Sequence, residues 1–182
     1  MNRLASPAQL RASFLRWALF CVPLVLLLGF LSGQAGSADS PWFAALNKPA
    51  TFPPPATFGI VWSVLYILMG LALALVCAAW GARYRVVAIL AFVLQLAINL
   101  AWSPVFFGQH EISAALAVLV ALDAAVLVTL ILFWSVRRAA AALLLPYLAW
   151  ILFATLLNWQ FLQLNPHSDG TQQAGGVQRF EL

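Results

Sequence analysis

Charge is what this chain has least of. Asp, Glu, Lys and Arg make up 8% of its 182 residues, and only five of them are acids. A soluble domain carries roughly a quarter charged residues, so this composition excludes one. Cysteine is equally sparse. Cys21 and Cys77 lie in different apolar runs, outside any C-x-x-C or C-x-x-C-H pattern, so no disulfide framework, zinc site or covalent haem is signalled. No G-x-x-x-x-G-K, H-E-x-x-H or Ser-His-acid set occurs, which removes nucleotide-driven transport and hydrolysis. His110 and His167 stand at loop positions without a neighbouring ligand at metal spacing and read as solvated histidines; no metal is expected. Apolar segments that alternate with polar residues are missing too, which excludes a β-barrel.

Apolar residues fill the space left, at 64% of the chain. A helix needs roughly 20 apolar residues to cross a bilayer. Five runs qualify, at about 14–35, 57–80, 86–107, 112–134 and 139–163. The expected fold class is therefore an all-α membrane protein, a five-transmembrane-helix bundle with a long Pro/Trp-rich first loop. A basic tail, 1–13, precedes the transmembrane domain, 14–164. A polar, Gly-containing tail, 165–182, follows and is expected to be disordered. Gly33-Gln34-Ala35 also resembles the end of a cleaved signal peptide. Against cleavage stand the length of the run and Gly29-x-x-x-Gly33, a spacing that permits close helix packing.

The charges orient the chain. Arg3, Arg11, Arg16, Arg83, Arg85, Arg137 and Arg138 fall on one side of five spans, and Lys48 and Arg179 on the other. The positive-inside rule puts the N-terminus in the cytoplasm. The net charge of +4 is thus a matter of topology, and no nucleic-acid partner is implied. Asp123 is the one acid inside a span. A buried acid is a functional candidate, or is neutral and hydrogen-bonded to a neighbouring helix. A proton-coupled carrier would show more such residues and an internal repeat.

Eight tryptophans must be sorted. Trp17, Trp80 and Trp134 lie beside the arginines and read as interfacial anchors, as does Trp159 near the other end. Trp62, Trp102 and Trp150 lie inside spans. Tyr147, Trp150, Ala154 and Asn158 share one face of the fifth helix, at roughly 100° per residue. Trp62 has Tyr66 one turn on, and Trp102 shares a stripe with Gln95, Asn99 and Phe106. Amides in lipid need partners. Gln95, Asn99 and Asn158 are therefore either interhelical glue or polar points of a cavity for a flat, largely apolar ligand. The loop 36–56 carries five prolines together with Trp42, Phe43 and Phe52, and suits a stiff lid over the bundle mouth. The other connections are short, so neighbouring helices are expected to pack antiparallel.

These residues resemble the translocator protein family, also known as tryptophan-rich sensory proteins. The matching segments are Trp42 to Pro49 with Pro53-Pro54, then Val61-Trp62-Ser63-Val64-Leu65-Tyr66 with Met69-Gly70. Gln95-Leu96-Ala97-Ile98-Asn99 with Trp102 to Gly108 follows, and Pro146-Tyr147-Leu148-Ala149-Trp150 with Phe153-Ala154-Thr155 and Asn158 comes last. The resemblance implies a five-helix bundle, often a homodimer, in a bacterial inner (cell) membrane. It implies one porphyrin-type ligand per subunit, such as protoporphyrin IX or haem, and no required cofactor. Carried over by motif, Trp62 and Trp150 match tryptophans implicated in light-dependent porphyrin breakdown. Trp42, Pro49, Tyr66, Asn99, Trp102, Ala154 and Asn158 match pocket positions; Phe52, Phe106 and Tyr147 complete the expected lining. Thr51 stands where relatives often carry an aromatic. No basic residue lies in 148–152, so a sterol motif around Tyr147 is not implied.

Overall fold

A computed structural model describes residues 6–34 and 40–170. Arg3, Asp39, Arg179 and Glu181, and the signal-peptide end at Ala35, lie outside the described residues. Five long helices form: α1 (Pro7–Gly33), α3 (Pro55–Cys77), α4 (Arg85–Ser103), α5 (Ile112–Val136) and α6 (Arg138–Leu164). A short helix, α2 (Pro41–Ala45), sits in the first loop, and α4 runs on into one wider π-type turn, Pro104–Gly108. The spans are 27, 23, 24, 25 and 27 residues long. At about 1.5 Å per residue each exceeds the roughly 30 Å hydrocarbon core. Large apolar side chains face outward along them, with Leu19 77%, Ile60 66% and Ile131 64% exposed. In water that surface would drive aggregation; in lipid it is the solvent-facing side.

Local sequence sets the helix ends. Ser6 and Gln9 form a capping box with Pro7 at the first helical position, so α1 starts seven residues before the expected span at 14. Ser40 caps α2 by accepting from the Phe43 amide at 3.2 Å. Lys48 closes the other end of α2, donating to the Phe43 and Ala44 carbonyls at 3.1 and 3.3 Å. Extended Arg137 (φ −152°) alone separates α5 from α6.

The helices close a ring in the order α1, α3, α6, α5, α4. Sequence neighbours α4–α5 and α5–α6 pack along their length, but α3 and α4 touch lightly; α3 lies instead between α1 and α6. Burial of apolar surface does not drive helices together in lipid, so close packing and hydrogen bonds must. Two glycines supply the packing. A Cβ on Gly29 would lie 2.2 Å from the Tyr66 ring, and one on Gly70 would lie 2.6 Å from the Val22 Cα. Gly33, the other half of the expected small-residue pair, meets nothing within 4 Å. Pro104 cannot donate to the Leu100 carbonyl one turn back. Ser32 of α1 does so instead, its hydroxyl 2.6 Å away, which ties α1 to α4 where α4 loosens into the π-type turn.

Candidate functional site: a ring-lined bundle end under a pinned lid

Two aromatic levels stack inside the bundle. In the deeper one, Trp62 lies on Tyr66 with ring centroids 5.2 Å apart, and it meets Tyr147 edge-on at 6.3 Å. Each tyrosine hydroxyl crosses to α4. Tyr147 donates to Gln95 Oε1 at 2.9 Å and Tyr66 to Asn99 Oδ1 at 3.1 Å. Tyr147 is fully buried, Gln95 is 1% exposed, and Trp62 and Tyr66 are half-buried. Trp150 packs against Phe58 and Phe153, at 5.9 and 5.5 Å.

The upper level is built on the π-type turn. Phe106, within that turn, is 2% exposed. There it stacks on Trp102 at 5.2 Å and meets Trp42, Phe43 and Phe161 edge-on. Trp102 Nε1 donates to Asn158 Oδ1 at 3.1 Å, and Asn158 Nδ2 donates to the Ile112 carbonyl at 2.9 Å. One amide thereby joins α4, α5 and α6. All three span amides, Gln95, Asn99 and Asn158, thus act as interhelical glue.

The loop covers this level. Phe43 and Phe52 rest on Phe161, Phe52 also on Phe58, and buried Pro49 accepts from the Phe52 amide to turn the chain. The lid is pinned by Asn165, where a disordered tail was expected to begin. Asn165 Oδ1 accepts from the Asn47 amide at 2.8 Å, and its Nδ2 donates to the Asn47 and Phe161 carbonyls at 3.0 and 2.9 Å. Trp42 Nε1 donates to the Ser168 carbonyl, and Thr51 donates to Gln160. Asp169 accepts from the Ser113 amide at 3.0 Å, capping α5 from a distance. Residues 165–170 are therefore a folded clasp. His110 is half-buried rather than free in its loop. It stacks on Trp42 at 4.4 Å with a positive φ of 61°, and its backbone carbonyl accepts from Gly170.

The expected residues fall into these layers as follows. Trp62, Tyr66, Asn99 and Tyr147 meet in the deeper level, and Trp42, Phe52, Trp102, Phe106 and Asn158 in the upper one. Trp150 and Ala154 lie half-buried on α6 between them, and Pro49 shapes the lid. Asp123 is apart, bonded to the Thr155 hydroxyl at 2.9 Å. The outward anchors are Trp80, Trp134 and Trp159, at 68%, 53% and 49% exposure. Asn165, Phe161 and Ser32 were missed, and His110 was read as a solvated loop histidine. A polar residue just past a helix end was the one available signal for Asn165; the others carry no spacing signature.

Among the described residues four buried side-chain atoms have no hydrogen-bond partner: the donors Gln95 Nε2 and Trp150 Nε1 in the ring-lined interior, with His110 Nδ1 and Asp123 Oδ1. Among the described residues no group of three His, Cys, Asp or Glu side chains could hold a metal ion.

The architecture defines an integral membrane protein: five spans, a ring-lined interior at one end, and a lid closing that end. Comparison with known proteins gives the family. The TspO/MBR family model matches residues 21–164. The tryptophan-rich protein TspO of Chlorobaculum tepidum is 38% identical over 148 residues, covering 80% of this chain and 94% of that protein. Protein CrtK of Rhodobacter capsulatus is 37% identical over 138 residues, 74% and 86% of the two chains. Human translocator protein is 40% identical over 120 residues, 65% and 71%. The chain belongs to the TspO/MBR family.

Proposed function

We infer that this protein binds a tetrapyrrole of the porphyrin or haem type in the ring-lined end of its bundle, and thereby senses, sequesters or moves it. The observation that carries this reading is the pair of buried, unpartnered donors, Gln95 Nε2 and Trp150 Nε1, set among aromatic rings. A buried donor without a partner costs roughly 1–3 kcal/mol. A ligand with anionic or carbonyl oxygens removes that cost, and a macrocycle face replaces the ring-to-ring contacts it displaces. Each aromatic contact contributes roughly 0.5–1.5 kcal/mol beyond area burial. The rings are closed on one another, so a ligand of this size enters only as the lid opens. A homodimer, in a bacterial inner membrane with the arginine-bearing end in the cytoplasm, completes the proposal.

The test is titration of purified protein with protoporphyrin IX in the dark, followed by tryptophan fluorescence. Saturable quenching is expected, weakened at least tenfold in Gln95→Leu and in Trp150→Phe. Quenching that does not saturate overturns the reading and leaves a packed bundle acting through a protein partner.

A second reading is photochemical. Trp62 contacts two oxidisable rings, Tyr66 and Tyr147. In light an excited porphyrin takes an electron from Trp62, the resulting radical anion adds oxygen, and the electron returns to Trp62 as the oxygenated ring opens, so the net change is one dioxygen added to the macrocycle; Trp150 would serve the same role. Illumination of the complex then yields a new absorbing species, lost in Trp62→Phe while binding is largely kept. Equal loss of binding and turnover would count against catalysis.

A further inference from the structure

The arginine-bearing end, opposite the lid, has its own relief. A groove of about 410 Å³ lies beside α1, lined by Ser13, Arg16, Trp17, Phe20 and Trp80. Small-ligand clefts run from about 300 to 1,000 Å³. The spacing of 13, 16, 17 and 20 puts those side chains on one face of α1. Trp80 arrives from the α3–α4 connection and sets its ring 6.5 Å from that of Trp17. Trp80 is itself held from behind. The Arg85 guanidinium lies 4.1 Å from its ring centroid, while Arg85 Nε and Nη2 donate to the Cys77 carbonyl at 3.0 and 2.8 Å. The wall is therefore fixed, and a second positive charge stands behind it.

The groove faces outward from the bundle, with Phe20 60% and Trp80 68% exposed. Its depth suits a headgroup. α1 is 27 residues long, so at about 1.5 Å per residue it overshoots the hydrocarbon core by several residues. Arg16 makes no hydrogen bond or ion pair among the described residues. Among the described residues no carboxylate is available to it at this end, because Glu111, Asp123 and Asp169 lie at the lid end or within a span.

We propose that this groove is a binding site for an anionic phospholipid of the surrounding leaflet. The Arg16 guanidinium takes the phosphate, bidentately, with the Ser13 hydroxyl as a further donor. Trp17, Phe20 and Trp80 receive the glycerol backbone and first methylenes. Selectivity follows from the charge around the cation: a zwitterionic lipid brings an ammonium that finds no carboxylate among the described residues of this end, and an acidic lipid brings none.

The probe is dioleoyl phosphatidylglycerol against dioleoyl phosphatidylcholine, added to the full chain in detergent and counted by native mass spectrometry. The wild type is expected to retain one phosphatidylglycerol at about tenfold lower lipid concentration than phosphatidylcholine. Arg16→Gln should abolish that preference. Arg83→Gln removes the same charge from the same end, but Arg83 lies over Tyr84 at 5.2 Å and outside the groove, so it should leave the preference intact. Circular dichroism confirms that both variants fold, and Trp80→Ala supplies an independent loss of retention through the wall. Equal retention of the two lipids overturns the proposal. So does an equal fall in Arg16→Gln and Arg83→Gln, which would reduce the effect to diffuse surface attraction. Displacement of the lipid by millimolar inorganic phosphate would make this a small-anion site and also overturns it.

Discussion

Asn165→Ala tests whether the clasp gates the site. Two of the three hydrogen bonds of Asn165 cross to the lid, from the Asn47 amide at 2.8 Å and to the Asn47 carbonyl at 3.0 Å. Each has a net value of about 1 kcal/mol, so alanine should favour lid opening by about 2 kcal/mol. That is about a 30-fold rise in the open fraction, at 1.4 kcal/mol per tenfold. Hydrogen exchange at the Asn47 amide should accelerate by that factor, with α5 amides near Leu122 unchanged. Where a ligand enters only through the open lid, its association rate scales with the open fraction. Stopped-flow quenching by protoporphyrin IX should then speed up by about the same 30-fold, since release accelerates too and affinity moves less. Faster exchange at Asn47 with an unchanged association rate would refute the gate. Unchanged exchange would refute the clasp itself.

Gly29→Ala and Gly70→Ala each force a Cβ into a neighbour, at 2.2 Å from Tyr66 and 2.6 Å from Val22, and should lower stability by roughly 1–3 kcal/mol. Gly33→Ala, with nothing within 4 Å, should be neutral or stabilising by up to about 1 kcal/mol; reversible unfolding in mixed micelles ranks the three, and equal losses would refute the packing account. Ser32→Ala strips the Leu100 carbonyl of its donor, at a cost of roughly 1–3 kcal/mol. Adding Pro104→Ala restores an amide that can reach this carbonyl, so the double variant should recover part of the loss in the same assay.

The sequence by itself determined the class of this molecule and its family. Long uncharged runs permit little but membrane-spanning helices, because every backbone amide in lipid must be satisfied within its own segment. The stripes on the second, third and fifth spans named Trp62, Tyr66, Asn99, Trp102, Tyr147, Trp150 and Asn158, because helical periodicity alone puts such residues on one face. Periodicity does not say which face meets which. Only the tertiary structure decided that α3 lies between α1 and α6, that Gly29 packs closely and Gly33 does not, and that Phe106 meets Trp42, Phe43 and Phe161. Only it converted Asn165 from a tail residue into the pin of the lid, and His110 from a solvated histidine into a stacking partner for Trp42. The physical reason is common to all of them. Each depends on a contact between residues far apart in the chain, and a linear pattern records which side chains share a helix face, not what stands opposite.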